Sequence, residues 1–491
     1  MLEAIDKIKR EASSKLDQNK RSELGQYMTP YAVAKFMSGL FDDYKFKTVK
    51  LLDAGAGIGS LSLSFFDNLS EKWKNVNKVE FAAYEVDAIL SEYLSNNIND
   101  IAEKFKEKNI RLTQKIKHLD FIAEATNKEY RDNNKFTHVI LNPPYKKINS
   151  SSEHRKLLSS IGIETVNLYS AFIALSIRSL KPGGELVAII PRSFCNGNYY
   201  KPFRKLLIEQ TAIKQIHLFE SRTQAFKDDE VLQENVIIHL KKGASQKKVK
   251  VSKSQNAELN DYEEIEFPFE NIVKNEDAEY FIHIPSFQEN HIENSDNIIF
   301  SLSEIDLQIS TGPVVDFRIK EHIQIDPAEN TVPLLYPVHF NCKEIDWPKV
   351  SKKPNAIAVN EATKKMLYPS GFYTIVKRFS SKEEKQRIVA RVVNPEMLVS
   401  EYIGLENHLN VFHFNKGGID ADLAYGLAAY LNSSYVDRHF RSFNGHTQVN
   451  ATDLKQMKYP ERQILITLGR WARTLPSFDQ LLIDNQIQHI L

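Results

Sequence analysis

Val49-Lys50-Leu51-Leu52-Asp53-Ala54-Gly55-Ala56-Gly57-Ile58-Gly59 decides how the first half of the chain folds. A short apolar strand, Val49–Asp53, runs into a turn of glycine and alanine where a strand should give way to a helix. Small residues there let the backbone turn sharply and let a ligand approach it closely, which a side chain would prevent. Outward from this turn the texture alternates. Val79–Glu85 reads as a second strand, Ile116-Lys117-His118-Leu119 leads into Asp120-Phe121, and Phe136–Asn142 is a further strand. Gly184–Ile190 follows the turn Lys181-Pro182-Gly183, and helical stretches such as Asn167–Leu175 lie between. Strands alternating with helices predict an α/β fold with a doubly wound, mostly parallel sheet of Rossmann-like form. Upstream, residues 1–20 read as an amphipathic helix with Leu2, Ile5, Ile8 and Leu16 on one face. Thr29 as N-cap and Pro30 at the first position then open a helix through Tyr31–Met37.

The run Gln246–Ser252 closes the alternation, so a boundary is placed near residue 245, dividing the chain into 1–245 and 246–491. Beyond it come short irregular strands, prolines and polar loops, an irregular α+β domain with a C-terminal helical segment. A chain of 491 residues is too long for one ordinary core. Hydrophobic residues at 42% and charged residues at 26% describe a folded globular chain. No apolar run approaches the ~20 residues of a membrane span, and Met1–Lys7 lacks a signal core. A cytoplasmic protein without a membrane partner is expected. Cys195 and Cys342 support neither a disulfide framework nor a zinc cluster, and no metal site is expected. The net charge of +1 leaves nucleic acid open, since DNA-binding modules are usually basic. Locally the balance breaks: Lys377, Arg378, Lys382, Lys385 and Arg387 cluster, while acids dominate Asp261–Glu266.

Asp53-Ala54-Gly55-Ala56-Gly57-Ile58-Gly59 resembles the D-x-G-x-G-x-G loop of S-adenosylmethionine-dependent methyltransferases. A dinucleotide fold is the rival, because it too places an acid after its second strand. That acid is Glu85, whose carboxylate can accept from both hydroxyls of a ribose, a sugar shared by NAD and S-adenosylmethionine. In methyltransferases the acid matching Asp120 accepts from the adenine amine of the cofactor, and the apolar neighbour, here Phe121, packs on the ring. Gly25-Gln26-Tyr27-Met28-Thr29-Pro30 resembles the motif that precedes the fold and contacts the cofactor's methionine end, which implies Tyr27, Thr29 and Pro30. The four elements in this order favour S-adenosylmethionine over NAD, with Asp53, Gly55 and Gly57 at the loop.

Leu141-Asn142-Pro143-Pro144-Tyr145 sits at the carboxyl edge of an apolar strand, where doubly wound sheets bind ligands. An exocyclic amine is a poor nucleophile because its lone pair is delocalised into the ring. The Asn142 side-chain carbonyl and the Pro143 backbone carbonyl can both accept from it, letting the nitrogen pyramidalise and aim its lone pair at a sulfonium methyl. Pro143 and Pro144 stiffen the loop so that the acceptors are preorganised. Tyr145 offers a flat face for stacking. An amide nitrogen poses the same problem, so the motif serves equally for a base amine or a protein glutamine amide.

The order of the N-terminal motif, the glycine loop and Asn142–Tyr145 resembles the gamma class of N6-adenine DNA methyltransferases, over roughly residues 22–240. That resemblance implies a flipped target adenine. It also offers Phe226 as the second aromatic on the base, with a core phenylalanine as the equal alternative. The second half is similar to the target-recognition domains of restriction–modification methyltransferases through Ser310–Arg318, Lys377–Glu384 and Asn444–Leu454. Lys377, Arg378 and Lys382 can neutralise phosphates, while His446, Thr447, Gln448 and Asn450 can bond base edges or backbone. Across both halves the chain resembles the PstI and BsuBI type of modification enzymes. This implies adenine in CTGCAG as target, double-stranded DNA as partner, and a cognate restriction endonuclease as a functional pair needing no stable complex. Two other classes stay in view: a protein glutamine-N5 methyltransferase, ordinarily a shorter chain, and a non-catalytic specificity module, which would not need Asn142.

Overall fold

Val49, Leu51, Leu52, Val79, Val139, Ile140 and Leu141 are each completely buried, as strands covered by helices on both faces must be. In the computed structural model, which describes residues 29–42, 44, 47–133, 135–219, 234–287 and 297–490, these residues form the centre of a nine-stranded sheet. Its strands are β1 (Thr48–Ala54), β2 (Lys78–Tyr84), β3 (Arg111–Lys117), β4 (Phe136–Leu141), β5 (Leu180–Pro191), β6 (Thr211–Phe219), β7 (Asn235–Lys242), β8 (Val249–Ser254) and β9 (Glu263–Phe267). They lie in the order β3-β2-β1-β4-β5-β7-β6-β8-β9. The first five are parallel, and β7 inserts antiparallel between β5 and β6. The sheet is therefore the doubly wound, mostly parallel one expected. Because β1 has β2 on one side and β4 on the other, the chain reverses its winding there. The crevice at such a switch point, beyond the carboxyl ends of the strands, is where these sheets bind ligands.

Helices α1 (Tyr31–Gly39), α2 (Ser60–Lys72), α3 (Ala88–Glu107), α4 (Phe121–Thr126), α5 (Lys128–Asn133), α6 (Glu153–Ser160), α7 (Leu168–Ser179) and α8 (Lys201–Gln210) accompany the strands. Asp87 caps α3 by accepting from the amides of Ile89 and Leu90, which fixes the turn after β2. At α1 the expected cap is corrected. Pro30, not Thr29, occupies the N-cap position and the helix begins at Tyr31; the Thr29 hydroxyl is used elsewhere, as described below. The predicted helix over residues 1–20 lies outside the described residues.

The chain divides into two compact units, Met1–Pro285 and Ser286–Leu491. The boundary expected near 245 is thus displaced. β8 pairs in parallel with β6, and β9 closes the edge antiparallel to β8, so the lysine-rich run does not end the first unit but leads into two more of its strands.

The second unit carries a six-stranded and a five-stranded sheet. The larger one runs Gln308–Thr311, Leu409–His413, Tyr373–Lys377, Ala390–Val393, Glu344–Ile345 and Phe340–Asn341. Helix Ala421–Leu431 packs on helix Arg462–Thr474 through two glycines. A methyl group on Gly426 would lie 1.8 Å from the Leu465 carbonyl oxygen, and one on Gly469 would lie 1.6 Å from that of Asp422. Only glycine permits this approach. Among the described residues, no helix is long and apolar enough to cross a membrane.

Candidate active site

A cavity of about 390 Å³ opens at the carboxyl ends of β1, β2 and β4, within the size range of small-ligand sites. Its floor is the glycine loop. The amides of Gly55 and Ala56 both donate to the Tyr84 carbonyl, at 2.8 and 3.0 Å, tying the turn to the end of β2. Gly55, Gly57 and Gly59 all have positive φ. At Gly59 a side chain is also excluded by space, since its Cβ would fall 2.7 Å from Leu94.

Glu85 is 3% exposed and braces the loop from below. Its Oε2 accepts from the Gly57 amide and its Oε1 from the Asp87 amide, both at 2.8 Å. Burial raises its carboxyl, while these amides oppose the rise. Glu85 also lines the cavity. Asp53 stands elsewhere than expected. It is fully buried behind the loop and absent from the cavity wall. Its Oδ2 accepts from the Ser62 hydroxyl at 2.5 Å, while Oδ1 has no hydrogen-bond partner among the described residues. Burial pushes its carboxyl up to about 7; the Ser62 hydroxyl pulls it back, and the nearby Glu85 charge adds to the rise. Asp53 thus ties the end of β1 to the helix that follows the loop.

At the far end of the cavity Asp120 caps α4 through the Ala123 amide at 3.0 Å. Its other oxygen accepts from His154 Nε2 at 2.8 Å. Burial alone would raise Asp120, but the hydrogen bonds from His154 and the backbone outweigh it and hold the carboxyl below its ordinary value. The same bond raises His154. Phe121 is buried, its ring centroid 5.2 Å from both Tyr84 and Phe172, so it forms an apolar wall beside the carboxylate.

Asn142 follows β4 and faces the same cavity, as do Thr29 and Pro144. Its Nδ2 donates to Thr29 Oγ1 at 3.1 Å, and its Oδ1 accepts from the Tyr145 hydroxyl at 2.8 Å. That hydroxyl lies 3.2 Å from the Ile189 carbonyl as well, at the end of β5. The Tyr145 ring meets Tyr169 edge to face, and Tyr169 stacks on Tyr200. Thr29, expected at the cofactor, therefore also orients the amide. Pro30, Pro143 and Tyr145 do not line the cavity, and Tyr27 and Phe226 lie outside the described residues.

Sequence reasoning missed His154, Ser62, Phe172 and Tyr169. Their only signal was position on α6, α2 and α7, which periodicity places but does not assign a contact. Residues 146–152, between the proline motif and α6, form a strap over the cavity. The Leu168 amide donates to the Lys146 carbonyl at 2.8 Å and the Ile148 amide to the Val166 carbonyl at 2.7 Å.

In the second unit the three polar segments singled out from the sequence meet around Leu405–Asn410. The Gly312 and Val314 amides donate to the carbonyls of Leu409 and Leu405, and the Arg378 amide donates to that of His408. The Val449 amide donates to the Arg378 carbonyl, and the Ser380 amide to that of Thr447. Buried Asn410 joins the first and third segments, accepting from Thr311 Oγ1 at 3.2 Å and donating to the Val449 carbonyl at 2.7 Å. Several side chains are already engaged. Lys377 pairs with Glu384 at 3.0 Å, Arg378 donates to the Asn407 carbonyl, and the Asn450 amide group bonds Asp453 at the start of helix Ala451–Gln456. Arg387, read as part of a basic cluster, is buried and holds Asn444 and the His446 carbonyl. Thr447 is exposed, and Lys382, His446 and Gln448 are half-buried.

Residues 56–226 match the family model of the Eco57I restriction-modification methylase. The chain is 50% identical over 500 aligned positions to the type II methyltransferase M.BsuBI of Bacillus subtilis, covering 100% of this chain and 98% of that one. It is 42% identical to the type II methyltransferase M.PstI of Providencia stuartii, covering 99% and 96%. Among solved structures, the type IIL restriction-modification enzyme MmeI, in complex with DNA, aligns over 94% of this chain and 72% of its own with a TM-score of 0.57 at 12% identity, a likeness of fold. Identity at this level along both full lengths places the chain among the type II methyltransferases of restriction–modification systems.

Proposed function

We propose that the protein is a site-specific DNA methyltransferase that moves a methyl group from S-adenosylmethionine to the N6 amine of an adenine flipped out of the duplex. The observation that carries this reading is Asn142, held between Thr29 and Tyr145 on the wall of a cavity that also contains Glu85 and Asp120. The buried walls fit the cofactor. Glu85 puts a carboxylate, the acceptor type a ribose uses, on the cavity wall, Asp120 beside the apolar face of Phe121 suits an aminopurine, and the glycine loop leaves room for close approach. When bound, S-adenosylmethionine supplies a methyl group on a positively charged sulfur.

Asn142 Oδ1 and the Pro143 carbonyl accept the two hydrogens of the target amine. Withdrawn from conjugation by these two acceptors, the nitrogen lone pair would be free to take the methyl group that bound S-adenosylmethionine supplies, and the extra proton would leave to solvent. Because the acceptors are fixed before the base arrives, little reorganisation opposes the step. Tyr145 and Phe226 are the aromatics proposed to hold the base, whose extrusion costs a few kcal/mol of stacking and pairing.

The first unit is the proposed catalytic domain and the second the proposed target-recognition domain. In the second, the three segments around Asn410 present Lys382, His446, Thr447 and Gln448, with Lys377, Arg378 and Asn450 as scaffold for that surface. CTGCAG is the proposed target, on the resemblance of the sequence to the PstI and BsuBI type of modification enzymes, and a cognate endonuclease is the proposed functional pair. The test incubates the purified protein with labelled S-adenosylmethionine and either duplexes with and without CTGCAG or candidate protein substrates. Label in adenine of CTGCAG duplexes, abolished by Asn142→Ala, is the expected result. Label in protein alone would replace this reading with a glutamine methyltransferase, and equal labelling of all duplexes would discard the target.

A further inference from the structure

Asp120 has to do more than cap a helix if it receives a purine amine. A carboxylate on a cavity wall can rotate, and each oxygen has two acceptor positions. Here one oxygen is fixed by the Ala123 amide at 3.0 Å and the other by His154 Nε2 at 2.8 Å. The carboxyl plane is thereby set. His154 and Asp120 line the cavity together with Leu119, Phe121 and Ser152. The histidine comes from a different element than the acid: it is the second residue of α6, whose N-cap Ser152 ends the strap that starts at the catalytic motif. That strap is sewn to the segment before α7 at Lys146 and Ile148, so the His154 ring is carried by a braced backbone rather than by a free loop.

We propose that His154 is a positioning residue for the purine end of the methyl donor, acting by fixing the Asp120 carboxylate so that it accepts from the 6-amino group. This rests on the cavity being the S-adenosylmethionine site. His154 does not touch the reacting atoms. It selects an amino purine over an oxo purine, because a fixed carboxylate rewards a donor at position 6 and repels an acceptor there. It also couples donor binding to the strap that continues from Tyr145.

The test measures binding, without turnover, of S-adenosylhomocysteine and S-inosylhomocysteine to the full chain by calorimetry. A hydrogen bond to a charged group supports a preference of about tenfold or more for the adenosyl ligand in the parent protein. His154→Ala should weaken the adenosyl ligand by about tenfold and leave the inosyl ligand nearly unchanged, bringing the ratio close to one. His154→Gln, which keeps a donor near Asp120, should restore most of the ratio. A parental ratio preserved in His154→Ala overturns the inference, as does an equal loss for both ligands, which would mark general loosening of the pocket. A parent protein that binds neither ligand would instead overturn the proposed cofactor.

Discussion

Replacing Thr29 by valine keeps the shape of the side chain and removes the hydroxyl that accepts from Asn142 Nδ2 at 3.1 Å. The residue is 5% exposed, so water does not readily take the place of the lost hydroxyl. Removing the acceptor of a part-buried hydrogen bond costs about 1–3 kcal/mol. If that cost is paid in the orientation of the Asn142 carbonyl, it appears in the transition state, where the carbonyl must meet the amine. One to three kcal/mol corresponds to about 5- to 150-fold in rate. Single-turnover methylation of a duplex at saturating cofactor should therefore slow by that order in Thr29→Val, with the S-adenosylhomocysteine affinity changed little. Thr29→Ser, which keeps the acceptor, should recover most of the rate. The two roles for Thr29 separate cleanly in this experiment. A variant with a normal single-turnover rate and a weakened cofactor would refute the argument from the hydrogen bond and return Thr29 to the methionine-end contact that the Gly25–Pro30 resemblance implies.

Asp53→Asn should reveal the buried carboxyl through pH. Its folded value is raised from 3.8 to about 7, so the group favours folding below the lower value and loses that contribution as pH rises through the upper one. The melting temperature of the variant relative to the parent should rise between those pH values and level off above them; a difference flat with pH would contradict the burial argument. Glu85→Gln aims a side-chain NH₂ or a weaker acceptor at the amides of Gly57 and Asp87, so calorimetry should show S-adenosylhomocysteine bound at least about tenfold more weakly, while saturating cofactor restores the rate. In the second unit, Asn410→Ala cuts the link between Thr311 and the Val449 carbonyl. CTGCAG-duplex affinity in a titration should drop about tenfold with cofactor affinity untouched, and an unchanged duplex affinity would remove Asn410 from the recognition surface.

What the sequence disclosed followed contact range. The strand into Gly55–Gly59 was legible because its logic is local: apolar residues for a covered strand, then glycines for positive φ. The place of Asn142–Tyr145 at the end of β4 was legible for the same reason. The partners that orient these residues come from far along the chain, Thr29 across 113 positions from Asn142 and His154 across 34 from Asp120, and no periodicity encodes them. Asp53 shows the converse, a residue found by motif whose position behind the loop only packing reveals. The boundary near 245 had a local signal that was read the wrong way. In Lys248-Val249-Lys250-Val251 the valines are buried and Lys250 is half-exposed, the alternation of a strand with one wet face. Taken as the close of the alternation, it hid β8 and β9.

The same hydrogen bonds explain how one asparagine can be both restrained and available. Asn142 Oδ1 accepts from Tyr145, which would compete with the proposed target amine if the tyrosine had nowhere else to donate. It has: the Ile189 carbonyl stands 3.2 Å from the same hydroxyl. A carbonyl oxygen has two acceptor positions, so on the proposed function the arriving amine can share Oδ1 or displace the tyrosine proton onto Ile189. Thr29 meanwhile keeps Nδ2 turned away from the amine, to which it would present a donor against a donor. The amide is thus fixed by the partner it retains and freed by the one that can move, which is the condition for an acceptor that must be oriented before the base enters and unobstructed once it has.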